Sequence, residues 1–482
     1  MQTDTIAAIS TPPGGGGIGI IRVSGPEAVT AASVLFRRSG DADCDPGEAA
    51  PVSDWESHRL CHGFIVEPES GRMIDEVLLA VMRAPRSYTR EDVVEIQAHA
   101  GPAGLRAILD QLLRRGVRLA EPGEFTRRAF LNGRIDLSQA EGVMDLIAAR
   151  SRNALDAASA QLAGDLRRRV EEIREVLREE MAAMEAAIDF PEEVGEELSP
   201  VALRERLEAE VRQPVSALVR RSEEGRMTRE GVRVVVAGRP NVGKSSLVNR
   251  LLGQERAIVT EIPGTTRDVI EEQMSLQGMV LTLTDTAGLH ETEDPVERIG
   301  VARAKERLAE ADLVLLVTEA EAPPSPEELE IASASGSSPV IWVINKMDRI
   351  VSSAGMDGEK PPQEPPPLAW EIPPEWERFP RQPISARTGS GIHALVRRMA
   401  EAVEPSSGHL SHGAVPNLRH RGLLEAALER IETAISGIDV SLPFELIAID
   451  LKEAYERLGD ILGKTVREDV LDEIFGRFCI GK

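Results

Sequence analysis

No stretch of the sequence approaches 18 consecutive apolar residues, which argues against a membrane-spanning helix. Cysteine is scarce: Cys44, Cys61 and Cys479 are the only three, and their spacing suits neither a disulfide framework nor a zinc site. Positive charge is in deficit, with 56 Lys and Arg against 80 Asp and Glu and a net charge of -24. That balance disfavours a broad, non-specific hold on nucleic acid, but it leaves room for a local basic patch or an RNA-carrying partner. The first ten residues, MQTDTIAAIS, contain neither a basic leader nor an apolar targeting core. The expectation is a soluble cytoplasmic protein. Its 482 residues, 42% of them apolar, suit about two to four domains with real cores.

What is present is organised around Gly238–Ser245, GRPNVGKS. It follows the apolar run Val232–Ala237 and precedes the helix-compatible Ser246–Leu252. Strand, glycine loop and helix form the context in which G-x-x-x-x-G-K-S cradles phosphate, because backbone N–H groups and a helix N-terminus converge on the anion. Asn241, Val242, Gly243, Lys244, Ser245 and Ser246 are therefore nucleotide contacts, with Lys244 on the β/γ-phosphates and Ser245 on Mg²⁺. Downstream, Gly264-Thr265-Thr266 supplies a hydroxyl to complete the Mg²⁺ shell, and Thr266 is the choice. Asp285-Thr286-Ala287-Gly288 follows the alternating strand Val280–Thr284. It offers a carboxylate to water-bound Mg²⁺ and an N–H to the γ-phosphate.

The base is read by Asn345-Lys346-Met347-Asp348, after the apolar run Val340–Ile344. A carboxylate accepts from both N1–H and the 2-amino group of guanine, a donor pair adenine lacks, so Asp348 selects GTP or GDP. Ser385-Ala386-Arg387 supplies the last loop, near the guanine oxygen. Leu289 stands where a water-positioning glutamine would follow Gly288, leaving Glu291, Glu293, Asp294 and Glu297 as candidates for that task. Asn241 is either a solvent-facing loop residue or a ligand of a monovalent cation beside the phosphates.

Around this α/β region the pattern changes. Residues 1–120 mix strands (Asp4–Ser10, Ile18–Ser24, Ile74–Met82, Val93–Ala98) with a helix over Gly104–Leu113. Arg22 and Glu95 interrupt apolar runs there: both sit on a wet strand face, or together they form a ligand site with one cation and one anion. Residues 121–230 read as helices, including one continuous helix from Arg152 to about Ile188 and another capped by Ser199-Pro200. The Pro-rich segment 352–383 reads as a surface insertion that continues neither sheet nor helix, pinned by Trp370 and Trp376. Residues 404–482 return to helices, with Thr465 and Glu468 as a capping box. The domain layout is thus 1–120, 121–230, 231–403 and 404–482, with the nucleotide domain inserted in a helical one.

The sequence resembles the MnmE (TrmE) family of tRNA-modifying GTPases over nearly its full length. The resemblance rests on Asp4-Thr5-Ile6, Gly19–Gly25, Tyr88–Val93, Pro122–Thr126, Arg128–Gly133, Asp136–Glu141, the nucleotide motifs and the tail Phe478-Cys479-Ile480-Gly481-Lys482. It implies a multidomain α/β and α+β fold: a Ras-like P-loop GTPase domain inserted in a helical domain, after an α+β tetrahydrofolate-binding-like domain. It further implies a cytoplasmic homodimer that pairs with an FAD-containing MnmG-like protein in a heterotetramer or larger complex and acts on tRNA. The implied reaction installs a carboxymethylaminomethyl group at C5 of wobble uridine with a one-carbon unit from 5,10-methylenetetrahydrofolate or 5-formyltetrahydrofolate.

By the same resemblance Asn241, Thr260, Ile262 and Thr265 hold K⁺, within the contact segment Thr260-Glu261-Ile262-Pro263-Gly264. Glu297 orients the attacking water indirectly; Arg22, Glu95, Arg134 and Lys482 contact folate; and Cys479 sits near the transferred carbon. Arg134 replaces a lysine found in some members, and Ala98-His99-Ala100-Gly101 departs from a more glycine-rich segment. A different class, a regulatory GTP switch or ribosome-assembly binding module, lacks a use for the folate-like domain and the cysteine tail.

Overall fold

The computed structural model describes residues 4–12, 16–39, 55–190, 199–253, 271–276, 279–285, 308–336, 338–353, 367–403, 413 and 415–482. They divide into two compact units. One comprises 1–144, 161–216 and 422–482; the other comprises 145–160 and 217–421.

The first unit contains a seven-stranded sheet of β1 (Ile6–Ile9), β2 (Ile18–Ser24), β3 (Phe36–Arg38), β4 (Leu60–Val66), β5 (Met73–Met82), β6 (Val93–His99) and β7 (Arg118–Leu119). Their order is β3-β4-β5-β6-β2-β1-β7. All pairings are antiparallel except β1 with β7. Strand alternation sends Ile21, Val23, Val94 and Ile96 into one core, with Leu105, Ile108 and Leu112 of the helix Pro102–Leu113. The residues between them face the other side, and the register places Arg22 directly opposite Glu95.

The helical stretch departs from the single long helix expected. It forms Arg152–Leu162 and Asp165–Asp189, interrupted at Gly164, where φ is 85°. Leu155, expected on the continuous apolar stripe, is exposed. Ser199 does cap the next helix, its hydroxyl accepting from Ala202 N–H. A π-helical turn at Leu207–Arg212 then leads into Gln213–Glu230. Widening the turn there removes the clash that Pro214 would make with the preceding α-helical carbonyl. Thr465 is not a cap: its hydroxyl bonds Asp460, and the last helix runs Glu468–Gly476 with Arg467 at its N-cap.

The second unit carries β8 (Val232–Ala237), β9 (Glu271–Leu276), β10 (Met279–Asp285), β11 (Leu313–Glu319), β12 (Val340–Asn345) and β13 (Arg381–Pro383). The order is β13-β12-β11-β8-β10-β9, parallel but for the β9–β10 pair. Val232, Val234 and Val236 face one apolar layer, and Val235 and Ala237 face the other. Both faces are therefore covered, as a parallel sheet requires.

The Pro-rich segment contributes more than a surface loop. Trp376 is buried, its ring 4.8 Å from Trp342 on β12, and Trp370 lies 6.2 Å from the same ring. Arg381–Pro383 pairs with β12 despite its proline, which an edge strand tolerates.

Candidate functional site

In the second unit, β8 ends at Ala237 and the helix Lys244–Leu252 begins after the glycine loop, so the loop lies at the C-terminal edge of the parallel strands. Gly243 has φ 98°, and a Cβ there would lie 2.4 Å from Asn345 Nδ2. Only glycine lets the loop approach that close. Lys244 is buried, and its ammonium donates to the carbonyls of Gly238 (2.8 Å) and Arg239 (3.0 Å). It is thereby held along the loop where phosphate oxygens would take its charge. Arg239 is tied in turn to the fully buried carboxylate of Glu328 at 3.0 Å.

Asn345 bridges two loops: its Nδ2 donates to Val242 O at 2.9 Å, and its Oδ1 accepts from Ala386 N–H at 3.0 Å. Lys346 reaches the phosphate loop, donating to Asn241 O at 2.6 Å while pairing with Glu319 at 2.5 Å. Asp348 accepts from Ser385 Oγ at 2.7 Å and lies 3.8 Å from Arg387 Nη1. Met347 N–H donates to Ile384 O, seating the turn before the Ser385 loop. Three stretches far apart in the chain, Gly238–Ser245, Asn345–Asp348 and Ser385–Arg387, thus meet at one strand edge and line a single cleft.

Ser245 and Ser246 sit in the first turn of the loop's helix. Asp285 ends β10 opposite Val236, which brings its backbone beside the phosphate-loop strand. Thr260, Glu261, Ile262, Pro263, Gly264, Thr265 and Thr266 lie outside the described residues, as do Thr286, Ala287, Gly288, Glu291, Glu293, Asp294 and Glu297.

The first unit brings together a second group. Arg22 and Glu95 form a half-buried pair, with Nε to Oε1 at 2.9 Å. Arg22 Nη1 also donates to Gly481 O at 3.3 Å, and its guanidinium lies 5.6 Å from the Tyr88 ring centre and 5.7 Å from that of Phe125. Arg134 stacks on Tyr88 at 4.9 Å and donates to Ser87 O.

The chain end reaches this group because the tail is seated on both sides. Ile480 bridges to Pro122, Phe125 N–H donates to Lys482 O at 3.1 Å, and Gly481 packs on β1. Gly481 has φ 91°, and a Cβ there would lie 2.7 Å from Ile9 O. Ser10 Oγ, beside Gly481, is buried without a hydrogen-bond partner. Cys479 is a free, exposed thiol in the same tail.

Close by, Arg128 is almost fully buried among Asp4, Glu91 and Glu124. Burial pushes the Asp4 and Glu124 carboxyls up, but the Arg118 hydrogen bond to each and the Arg128 charge outweigh it and hold both below their ordinary range.

Glu319, Glu328 and Arg250 were not singled out from sequence. Each acts by side-chain reach onto a loop distant in the chain, and no local pattern marks it. The seating of Gly481 is of the same kind.

Two family models match the chain: "GTP-binding protein TrmE N-terminus" over residues 5–134 and "MnmE helical domain" over 137–479. The chain is 46% identical over 486 residues to the tRNA modification GTPase MnmE of Moorella thermoacetica, covering all of both chains. It is 45% identical over 488 residues to that of Geobacillus thermodenitrificans and 42% identical over 483 residues to that of Carboxydothermus hydrogenoformans, again covering all of each.

Proposed function

The chain belongs to the MnmE (TrmE) family and is a tRNA modification GTPase, and from that premise we propose that it works with an MnmG-like flavoprotein to install a carboxymethylaminomethyl group at C5 of wobble uridine. The observation that carries the GTPase half is the convergence of Gly238–Ser245, Asn345–Asp348 and Ser385–Arg387 on one cleft. The tail seated beside Arg22 and Glu95 supports the other half.

In the nucleotide cleft, Lys244 neutralises the β/γ-phosphates while Asp348 and the Ser385 loop fix the base. Water attacks the γ-phosphorus; the bond to the β-phosphate oxygen breaks; GDP and phosphate leave. Glu297 orients that water indirectly. The donor set fits hard cations: Ser245 and Thr266 would hold Mg²⁺, and Asn241, Thr260, Ile262 and Thr265 would hold K⁺. Bound there, the two ions would offset charge that develops on the phosphates. Asn241 has φ 64°, and Lys346 grips its carbonyl. Turnover is expected to be faster in K⁺ than in Na⁺ at matched ionic strength; equal rates would remove K⁺ from the mechanism.

In the first unit, the Arg22–Glu95 pair presents the donor and acceptor edges that a pterin ring matches, and Tyr88 offers a flat face. The unpartnered Ser10 Oγ is a further polar group awaiting a contact. Arg22, Glu95, Arg134 and Lys482 would hold a tetrahydrofolate bearing a one-carbon unit, and Cys479 would sit near that carbon. A homodimer joined through residues 1–120, with residues 231–403 inserted between 121–230 and 404–482, completes the reading.

Mass spectrometry of tRNA from cells lacking the protein tests it. Wobble uridines should lose the C5 substituent and regain it on complementation. Normal modification in the deletion strain would redirect the protein to a GTP switch acting elsewhere.

A further inference from the structure

We propose that Arg250 is a specificity-positioning residue: from the helix that opens on the phosphates, it aims the loop that reads the guanine O6. The inference rests on the nucleotide-cleft reading above and deepens it. Arg250 lies in the last turn of Lys244–Leu252. Its Nε donates to Ala386 O at 3.0 Å and its Nη2 donates to Arg387 O. The guanidinium also covers the loop's return, with a Cβ on Gly389 falling 3.7 Å from Arg250 Cζ.

A peptide unit is planar, so fixing Ala386 O fixes the direction of Arg387 N–H on the opposite side of the same plane. The rigid fork of arginine grips two successive carbonyls at once, which a point charge does not. From the other side the loop is held through Asn345 Oδ1 to Ala386 N–H, Ser385 Oγ to Asp348 and Arg387 Nη1 to Asp348 at 3.8 Å. Those groups belong to the proposed base reader itself. Arg250 supplies the outer tie. It also joins the two poles of the cleft through one helix: its first residue, Lys244, grips the phosphate loop, and its last turn grips the base loop.

The consequence is selective. GDP and IDP both carry O6, whereas the diphosphate of 2-aminopurine riboside has none. For the full-length Arg250→Ala protein, affinity for GDP and IDP should each fall about tenfold, the order of one lost charge-assisted hydrogen bond. Affinity for the 2-aminopurine diphosphate should stay within about twofold of the wild type. Displacement of a fluorescent GDP analogue reads all three. Arg250→Lys, which reaches one carbonyl, should recover part of the GDP and IDP loss.

Equal loss for all three ligands, or no loss for any, overturns the proposal, since a general loosening of the helix would not spare the ligand without O6. Should Arg250→Ala not fold, the same comparison on Arg250→Lys decides: a smaller selective loss supports the assignment, and a uniform loss or none defeats it. A wild-type protein that bound neither GDP nor IDP would instead overturn the nucleotide-cleft reading beneath it.

Discussion

Asp348 illustrates how much of this molecule's chemistry is concentrated in single side chains. In the structure its Oδ1 accepts from Ser385 and its Oδ2 approaches Arg387, so neighbouring side chains orient the carboxylate. Guanine presents N1–H and a 2-amino group to such a pair of acceptors; xanthine presents a carbonyl at the second position. Asp348→Asn replaces one acceptor by a donor. It is expected to weaken GDP binding roughly 100-fold, the scale of one lost bond to a charged group, while xanthosine diphosphate gains affinity. Competition binding checks both arms, and an unaltered preference for GDP would remove Asp348 from base reading. The Asn345–Asp348 segment was legible in sequence because it is a contiguous tetrapeptide at a strand end, and the structure brings it to the phosphate loop. Glu319, Glu328 and Arg250 were not, because what each grips lies far along the chain and only the folded sheet brings it near.

At the scale of elements, two arrangements carry the first unit. One is the tail. Gly481 fits against Ile9 and Ser10 only because it lacks a side chain and adopts a positive φ. Gly481→Ala should lift the last residues off β1 and withdraw the carbonyl that Arg22 holds. Isothermal titration with 5-formyltetrahydrofolate should then show about tenfold weaker binding, the worth of one bond to a charged group. Unchanged affinity would separate the tail from the ligand site. The sequence showed that such a tail exists; its seat depended on a five-residue segment returning to the first strand, which no periodicity encodes.

The other arrangement is the buried cluster joining the segment before β1, the helix Glu124–Leu131 and Glu91 through Arg128. Asp4 and Glu124 titrate below their ordinary 3.8 and 4.5. The unfolded chain therefore binds protons at higher pH than the folded one. The stabilisation is complete above those ordinary values and disappears as pH falls through the lower folded ones. Arg128→Met removes the buried one of the two guanidiniums that Asp4 and Glu124 share, leaving Arg118 alone with them. It should cost about 3 kcal/mol at neutral pH, as breaking a buried pair does, and move acid unfolding to higher pH. Urea titrations across pH measure both, and an unmoved acid limb would show that Arg128 does not set it. Element boundaries were less legible than element types here. The break at Gly164 and the π-helical turn before Pro214 depend on how helices meet, as does the failure of Thr465 to cap.

For the whole molecule, the chain order separates two chemistries. The cleft lined by Gly238–Ser245, Asn345–Asp348 and Ser385–Arg387 belongs to the unit formed mainly by residues 217–421; the Arg22–Glu95 group and the tail belong to the unit that contains residues from both ends of the chain. Each site's contacts are made within its own unit, so disabling one should leave the other's intrinsic affinity in place. Lys244→Ala removes the ammonium that holds the Gly238 and Arg239 carbonyls and, in the occupied cleft, the phosphate charge. GTP affinity should fall roughly 100-fold, as for loss of a charge-assisted contact to phosphate. Affinity for 5-formyltetrahydrofolate should change by no more than about twofold, the usual limit for sites that share no partners. In complemented cells the same variant should leave wobble uridines without their C5 substituent, because ligand binding alone does not turn over GTP. Parallel loss of folate affinity would show that the two sites are one thermodynamic unit. Full modification with a cleft that no longer binds GTP would show that hydrolysis is dispensable for the chemistry on tRNA.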